Sequence, residues 1–236
     1  MFYLIFNNKD NRNFGIEVKQ RPTIPAPEKK TDTIEIPGYD GKYYIDYDTY
    51  EDIKIPVEFT LVEEDLDNIK SRYREILSWL NNINDNKLIF SDDIDWTYIV
   101  KSVEIDDLDY DEFYEFKTFK VNFVCEAYQY QLRGLKERKV IDIINNSYMK
   151  CKPVYRLETT LTTTYTIKIN NISVKCKGNI IIDTMHDKIL NSSDKTLAVG
   201  VTNINNMQDL YLNHGKNIIS IPSNVSLFIT PNFRSI

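Results

Sequence analysis

The stretch "RPTIPAPEKKTDTIEIPGYDGKYY", residues 21–44, contains four of the chain's eight prolines and two of its seven glycines. Proline fixes the backbone φ angle and has no N–H to donate to a sheet, so residues 21–30 predict a stiff, extended arm that pairs with no strand. The second half alternates as a strand does and then breaks at Pro37-Gly38, with Asp40-Gly41 as a second turn signal. The stretch therefore predicts an arm, a strand and an abrupt turn, and the function depends largely on what the arm contacts.

The residues that follow predict a strand and the chain's one convincing helix. In "IKIPVEFTL", residues 53–61, every second residue is apolar, and Pro56 lies on the opposite face, which favours an edge strand or a bulge. Residues 63–82 carry an apolar stripe at helical spacing, acidic residues at the start and asparagines at the end. The stripe consists of Leu66, Ile69, Tyr73, Ile76, Leu77 and Leu80.

The rest of the chain is predicted to be almost wholly β. Residues 87–105 predict a strand, an acidic turn and a second strand, and "EFKTFKVNFVCEAYQY" predicts a further strand. A basic, non-alternating segment with a glycine follows a domain-sized block, so we place a domain boundary between residues 134 and 135. The predicted fold is mainly β: an N-terminal β-sandwich or split-barrel-like domain with one helix, residues 1–134, and a C-terminal β-sandwich, residues 135–236.

Composition narrows the function classes. Hydrophobic residues make up 42% and charged residues 27%, as in an ordinary globular protein. A net charge of −6 argues against sequence-specific nucleic acid binding and against binding to anionic lipid. No apolar run approaches the roughly 18 residues that span a bilayer, so we expect no membrane insertion.

The cysteines and histidines do not predict an enzyme. Cys125, Cys151 and Cys176 are an odd count at wide spacings, which fits a reducing compartment and not a disulfide framework. Only His186 and His214 are available as bases, and neither metal-ligand spacing nor a nucleophile or phosphate-binding motif is present. We expect structural thiols, no metal, no cofactor and no catalytic residue.

Two further groups of residues have a functional and a structural interpretation. The acidic runs "SDDIDW" and "EIDDLDYDE" offer oxygen ligands for Ca²⁺ but lack the glycine and final glutamate of an EF-hand loop, which favours solvated turns. Tyrosines in the C-terminal half are candidate stacking platforms for saccharides, although alternating tyrosines more often belong to a core or an interface. These tyrosines are Tyr148, Tyr155, Tyr165 and Tyr211.

The order of these features resembles the distal tail protein (Dit) family of siphophages. The proline arm is followed by Pro37-Gly38 and Asp40-Gly41, a helix closing on Trp79-Leu80, a strand leading into Ser91-Asp92-Asp93, and the aromatic strand at residues 96–100. The C-terminal segments resemble the family's galectin-like β-sandwich, which ends in a Gly-x-Asn strand, here Gly215 and Asn217. The resemblance covers nearly the whole chain, although Tyr39 stands where a basic residue is expected in many relatives.

The resemblance implies a structural protein of the phage tail tip or baseplate. It implies a hexameric ring, a homo-oligomer that joins the tail tube protein to the tail-associated (Tal) protein and to receptor-binding or baseplate proteins. Made in the host bacterial cytoplasm, such a protein would reside in the virion tail. The alternative is a host-surface carbohydrate-binding protein that acts in adsorption.

Two groups of site residues follow from the arm and from the acidic runs. We predict that the proline arm and its turn form the subunit interface, because a stiff arm loses little entropy when it lies across a neighbour. Acidic residues of the two runs are predicted to face the lumen, where negative charge would repel DNA. The interface residues are Arg21, Pro22, Ile24, Pro25, Pro27, Pro37, Gly38, Tyr39, Asp40 and Gly41, and the lumen residues are Asp92, Asp93, Asp95, Asp106 and Asp107.

Overall fold

A computed structural model of the chain describes residues 2–62, 66–106, 118–140 and 142–236. The chain divides into two compact units, the first comprising Met1–Gln129 with Ile236 and the second Tyr130–Ser235. This division into compact units falls after residue 129. The boundary predicted after residue 134 separates two domains that fold independently, and it stays a prediction. Within the described ranges, no helix has the length and apolar character needed to span a membrane.

The first unit is a β structure with one described α-helix, α1 (Leu66–Asn81). One sheet has the strand order β2-β1-β7-β8-β9-β6-β3, and β4 and β5 form a separate two-stranded hairpin. The strands are β1 (Leu4–Phe6), β2 (Lys9–Asp10), β3 (Ile16–Val18), β4 (Lys29–Ile34), β5 (Tyr43–Tyr50), β6 (Ile53–Leu61), β7 (Lys87–Phe90), β8 (Trp96–Ile105) and β9 (Thr118–Gln131).

Strands β6 and β9 form the centre of the first core. They are antiparallel, with Ile55 opposite Phe123 and Phe59 opposite Phe119, and alternate residues at 53–61 and 119–127 are buried on one face. The alternation predicted for both strands is therefore confirmed.

Strand β6 lies between β9 and β3 and pairs with β9 without a bulge, so the segment is neither the edge strand nor the bulged strand that was predicted, but Pro56 lies beyond the part of β6 that pairs with β3. The carbonyl of Glu58 accepts a hydrogen bond from the Lys19 amide at 2.9 Å, so the polar groups of every second residue of β6 point toward β3. The nitrogen of Pro56 points the same way, but β3 pairs only with residues 59–61. The missing N–H therefore breaks no ladder bond.

Helix α1 packs by the predicted stripe, since Ile69, Ile76 and Leu80 are fully buried. Trp79, which lies outside that stripe, is also buried: its indole N–H donates to the Phe6 carbonyl at 2.9 Å, and its ring stacks on Phe14 at 4.6 Å. Residues 63–65, which were predicted to begin the helix, lie outside the described residues. The helix ends at Asn81, as the asparagine pair predicts.

The side chain of Asn7 joins the end of α1 to the first strands. Its amide nitrogen donates to the carbonyls of Trp79 and Asn82, at 3.0 and 2.6 Å. Its amide oxygen accepts from the backbone N–H groups of Asn84 and Asp85, at 2.9 and 3.0 Å. Asn7 has a φ of 52°, a conformation that asparagine tolerates better than most residues, and one side chain thus satisfies four backbone groups near a helix end.

The second unit is a β-sandwich. Its sheets have the orders β10-β18-β12-β15-β16 and β11-β17-β13-β14, and both contribute to one apolar core. The predicted class, mainly β with one helix, is thereby confirmed. The strands of these sheets are β10 (Arg138–Val140), β11 (Ile143–Asn146), β12 (Val154–Thr159), β13 (Tyr165–Ile169), β14 (Ile172–Cys176), β15 (Ile180–Asp183), β16 (Lys188–Asn191), β17 (Gly215–Ser220) and β18 (Val225–Thr230). A further short strand, β19 (Arg234–Ser235), belongs to neither sheet.

Candidate assembly surface

The predicted arm, residues 21–28, has no regular secondary structure and pairs with no strand. It lies against its own unit, where Pro25 and Pro27 line a cavity of about 310 Å³ together with Ile53 and Tyr98. The three prolines are half-buried, while Ile24 keeps 39% of its surface exposed. The arm is therefore unpaired, as predicted, and it presents one side to its own sheet and the other to solvent.

The hairpin, defined here as residues 29–50, follows the arm directly. Strands β4 and β5 are antiparallel, with Ile34 opposite Tyr43 and Thr33 opposite Tyr44, and the register shifts between Lys29 and Thr31. At its base the Glu51 amide donates to the Glu28 carbonyl at 2.8 Å. In the part of the chain that the structure describes, these two strands pair only with each other.

The loop that closes the hairpin contains both predicted turns. Gly38 and Gly41 have φ angles of 84° and 96°, in the left-handed region where side chains are strained. No atom lies within 4 Å of where a Cβ would stand at either position, so backbone conformation and not space selects glycine. The Tyr39 amide donates to the Ile36 carbonyl at 3.0 Å and closes the first turn.

The hairpin exposes an unusual amount of aromatic surface. Tyr39, Tyr43, Tyr44 and Tyr47 expose 60, 55, 67 and 52% of their surfaces, and Ile34 and Ile36 are about half exposed. Exposed apolar side chains concentrated in one short segment in this way are typical of an interaction surface. The hairpin is thus the strongest candidate in the first unit for contact with another chain.

Ion pairs within the hairpin hold its two strands together. Lys29 pairs with Asp46, Lys30 lies 3.3 Å from Glu51, and the Tyr47 hydroxyl donates to Asp32 at 2.6 Å. The hydrogen bond from Lys29 lowers the pKa of the Asp46 carboxyl. These contacts are exposed, so each contributes little, but they favour the paired hairpin over an open loop.

The structure brings one predicted interface residue to the acidic turn between β7 and β8. The Arg21 guanidinium lies 3.5 Å from Asp92. Partial burial, together with the neighbouring charges of Asp92 and Asp95, raises the pKa of Asp93. Asp106 is exposed and accepts from the Asn122 amide at 2.8 Å, whereas Asp107 lies outside the described residues.

The three cysteines are free, buried thiols. Burial raises the pKa of Cys125, Cys151 and Cys176 to about 12, so the nucleophilic thiolate is disfavoured at neutral pH. The histidines are engaged elsewhere: His186 contacts Asp183 at 2.8 Å, and His214 contacts the Tyr148 carbonyl at 3.0 Å. Across the described ranges, no group of three His, Cys, Asp or Glu side chains is placed to hold a metal ion.

Most of the tyrosines considered as saccharide platforms are in the wrong place for stacking. Tyr155 is fully buried, and its hydroxyl donates to the Leu210 carbonyl at 2.7 Å. Tyr165 is 4% exposed and donates to the Gly178 carbonyl at 2.7 Å, and Tyr211 is also buried. The exposed-platform interpretation is therefore wrong for these three, and Tyr148 is half-buried.

The β17 segment shows why the Gly-x-Asn pattern suits its position. Gly215 has a φ of 89°, and Asn217 is fully buried. The Asn217 side chain accepts from the Asn213 amide at 3.0 Å and donates to the Asn213 carbonyl at 2.9 Å. The glycine makes the turn, and the asparagine satisfies the backbone of the loop before it.

Charge is divided unequally between the two units, a feature that the net charge of the chain conceals. The first unit has 15 basic and 28 acidic residues, a net charge of −13, whereas the second has 14 basic and 7 acidic residues, a net charge of +7. Together they give the −6 of the whole chain. Counting the charges of each predicted domain separately would have found this asymmetry.

Comparisons with known proteins agree with this fold. The family model of the phage tail protein RIFT-related domain matches residues 2–125, which include the arm, the hairpin and the acidic turn. No curated protein sequence matches the chain. The match confirms the resemblance to phage tail proteins that the order of motifs indicated.

Two solved structures share the architecture over both units. The crystal structure of Dit from phage SPP1, described as a paradigm of the hub adsorption apparatus in phages that infect Gram-positive bacteria, matches 100% of this chain and 98% of its own at a TM-score of 0.62 and 13% identity. A chain of the phage P2 baseplate, in its activated conformation with Ca, matches 100% of this chain and 98% of its own at a TM-score of 0.51 and 9% identity. At these identities the similarity shows a shared fold.

Proposed function

The chain belongs to the phage tail protein family that contains the RIFT-related domain, and we propose that it is a structural hub subunit of a siphophage tail tip. This proposal rests on the family match over the first unit, together with the fold that the whole chain shares with SPP1 Dit. In this proposal the protein is not an enzyme. Six copies form a ring that joins the tail tube to the Tal protein and to receptor-binding or baseplate proteins at the virion tail tip.

The arm and the hairpin form the subunit interface in this proposal. The exposed tyrosines Tyr43, Tyr44 and Tyr47 support it, because apolar surface of this size is stabilised when a second chain covers it. The half-buried prolines of the arm keep residues 21–28 close to the sheet, so the hairpin is held in place before a neighbour arrives. Little conformational entropy then remains to be lost on assembly.

The acidic turn supports a lumen that repels DNA. Asp92, Asp93 and Asp95 are close in the turn, and partial burial, followed by the charges of Asp92 and Asp95, raises the pKa of Asp93. A cryo-EM map of the assembled ring would place these residues. A map with the turn on the outer rim would exclude this role and leave the ring itself intact as a proposal.

Native mass spectrometry of the purified chain tests the hub proposal. We expect a complex of six 27.8 kDa subunits, and we expect substitution of Tyr43, Tyr44 and Tyr47 by serine to shift the population to smaller species. A matched control replaces Leu197 and Val199, which are exposed by 67 and 90% in the second unit, with serine and should leave the complex unchanged. A ring that persists in the tyrosine variant would remove the hairpin from the interface, and a wild-type monomer under all conditions would contradict the ring.

The carbohydrate-binding alternative is not adopted. Tyr155, Tyr165 and Tyr211, three of its four candidate platforms, are buried, and the cleft formed by Thr159, Asn191 and their neighbours has no aromatic residue among those that line it. Without an aromatic face, hydrogen bonds alone would have to hold the sugar.

A further inference from the structure

The outer face of the second sheet of the sandwich is basic. Strands β11, β17, β13 and β14 contain no acidic residue, and the three lysines Lys168, Lys175 and Lys216 point to solvent from adjoining strands. Lys168 lies opposite both Ser220 and Ser173 in the register. We call this surface, with the exposed Ile143 and Ile218 beside it, the lysine face.

The lysines of this face have no acidic partner among the described residues, since none lies within 4.0 Å of the three ammonium groups. The other sheet behaves differently: Arg156 on β12 contacts both Glu137 and Glu158. Ile143 and Ile218 are paired in the register and expose 42 and 53% of their surfaces. The lysine face therefore combines uncompensated positive charge with exposed apolar surface.

The hairpin of the first unit has the complementary character. The hairpin itself has a net charge of −2, and with its flanking residues Glu28, Glu51 and Asp52 the segment carries eight acidic and three basic residues, a net charge of −5. Four of its tyrosines and two of its isoleucines are exposed. All three lysines of this segment are paired with acidic residues of the same segment, and Asp52 is paired with Lys101 of β8. The negative charge that remains for another surface is carried by Glu28, Asp32, Asp40 and Asp48.

We propose that the acidic hairpin of one copy docks on the lysine face of a second copy of this chain. This rests on the proposed hub function and names the surface that its hairpin contacts. The first unit at −13 and the second at +7 make each copy a complement of the next, and opposite charges accelerate and orient such an encounter. The contact joins unlike surfaces, which is the geometry of a head-to-tail assembly that can close into a ring.

Charge reversal tests the contact. A face variant carries Lys168→Glu, Lys175→Glu and Lys216→Glu, and a hairpin variant carries Asp32→Lys, Glu35→Lys and Asp40→Lys. We expect sedimentation equilibrium to show self-association weakened by about tenfold or more in each variant, because like charges then face each other. The matched control for the face variant carries Lys136→Glu, Lys188→Glu and Lys195→Glu. It makes the same change in net charge as the face variant at other exposed sites and should associate like the wild type.

Mixing separates contact between copies from contact within one chain. In the face variant both the hairpin and the face are acidic, and in the hairpin variant both are basic, so copies of the same variant repel each other. In a mixture, the acidic hairpin of the face variant fits the basic face of the hairpin variant, and the basic hairpin of the hairpin variant fits the acidic face of the face variant. An equimolar mixture should therefore regain association, and a single chain carrying all six changes should regain it as well. Recovery in the six-change chain without recovery in the mixture would overturn the proposal in favour of a contact within one chain.

Other outcomes are equally decisive. Association of the wild type should weaken as salt rises, because the Debye length falls from about 10 Å at 0.1 M to about 3 Å at 1 M. A ring that forms normally in the face variant would overturn this contact while leaving the hub function standing. Heparin binding that the face variant loses, with no change in self-association, would assign the lysine face to an anionic polymer and overturn the proposal.

Discussion

Strands β5 and β6 are consecutive in the chain and contain similar residues, yet their surroundings are opposite. Alternate residues of β6 face the core, so Ile55 and Phe59 are fully buried. All residues of β5 remain exposed or half-exposed, and Tyr44 keeps 67% of its surface in contact with solvent. Strand propensity is therefore local, whereas burial requires a partner surface. Strand β6 has such a surface in β9, and the hairpin has none in the core of the first unit.

The largest effect should separate the two regions by stability. Phe123→Ala removes a fully buried ring opposite Ile55 and should lower the free energy of unfolding by about 3–5 kcal/mol. Tyr44→Ala on the hairpin should change it by less than about 0.5 kcal/mol. Urea denaturation followed by fluorescence measures both, and a Tyr44 variant as damaged as the Phe123 variant would show that the hairpin is part of the cooperative core.

Alkaline pH should act on the core by way of a buried thiol. Burial raises the pKa of Cys125 from 9.0 to about 12, so its stabilising contribution is complete below pH 9.0 and is lost as the pH rises toward 12. Between pH 8 and pH 10.5 this costs about 2 kcal/mol.

The variant Cys125→Ala isolates this contribution. It should lose about 2 kcal/mol less than the wild type over the same pH interval, measured by urea denaturation at each pH. Parallel curves for the two proteins would show that the thiol does not ionise on unfolding. The hairpin offers no comparable group, because none of its described side chains is buried.

The smallest effect compares two carboxylates with lowered pKa values. On the main sheet of the first unit, the half-buried Asp10 side chain accepts from the backbone N–H and the guanidinium of Arg12, each at 2.9 Å, and the guanidinium bond is the main cause of the lowered pKa. Asp10→Asn should cost about 0.5–1 kcal/mol at pH 7. Asp46→Asn breaks the exposed pair with Lys29 on the hairpin and should leave the unfolding midpoint unchanged.

The pH dependence gives the sign of the Asp10 effect. Because the pKa of Asp10 is lower in the native state than its ordinary value of 3.8, the ionised carboxyl stabilises the fold above pH 3.8. This stabilisation is lost as the pH falls through the native pKa of Asp10. The difference between wild type and Asp10→Asn should therefore shrink at pH 3. If the Asp46 variant were less stable than the Asp10 variant, the exposed ion pair of the hairpin would contribute more to the stability of the fold than the Asp10 contacts do.

Sequence alone predicted the elements of the core well, because their signals are periodic. The alternation in 53–61 and 119–125 and the helical stripe at Ile69, Ile76 and Leu80 all correspond to buried faces. The position of Trp79 was not predicted, because its burial depends on Phe14 and the Phe6 carbonyl, which come from a distant part of the chain. Long-range contacts of this kind leave no local pattern.

The candidate surface was predicted only in part. Prolines and glycines marked residues 21–41, since each has a local conformational requirement that is visible in the sequence. The exposed tyrosines of β5 were not singled out, because strand residues of this type are usually half-buried. The lysine face emerged only when the register brought Lys168, Lys175 and Lys216 onto one side of one sheet.

The Asn7 side chain carries a consequence for the timing of folding during synthesis. Its backbone partners at Trp79 and Asn82 follow it by 72 and 75 residues, and β1 pairs with β7 at residues 88–90. At a translation rate of about 5–20 residues per second, β1 waits roughly 4–15 s for these partners to be made. During that interval Leu4 and Phe6 are without their native neighbours, so the nascent chain presents an apolar segment to chaperones before the first unit closes.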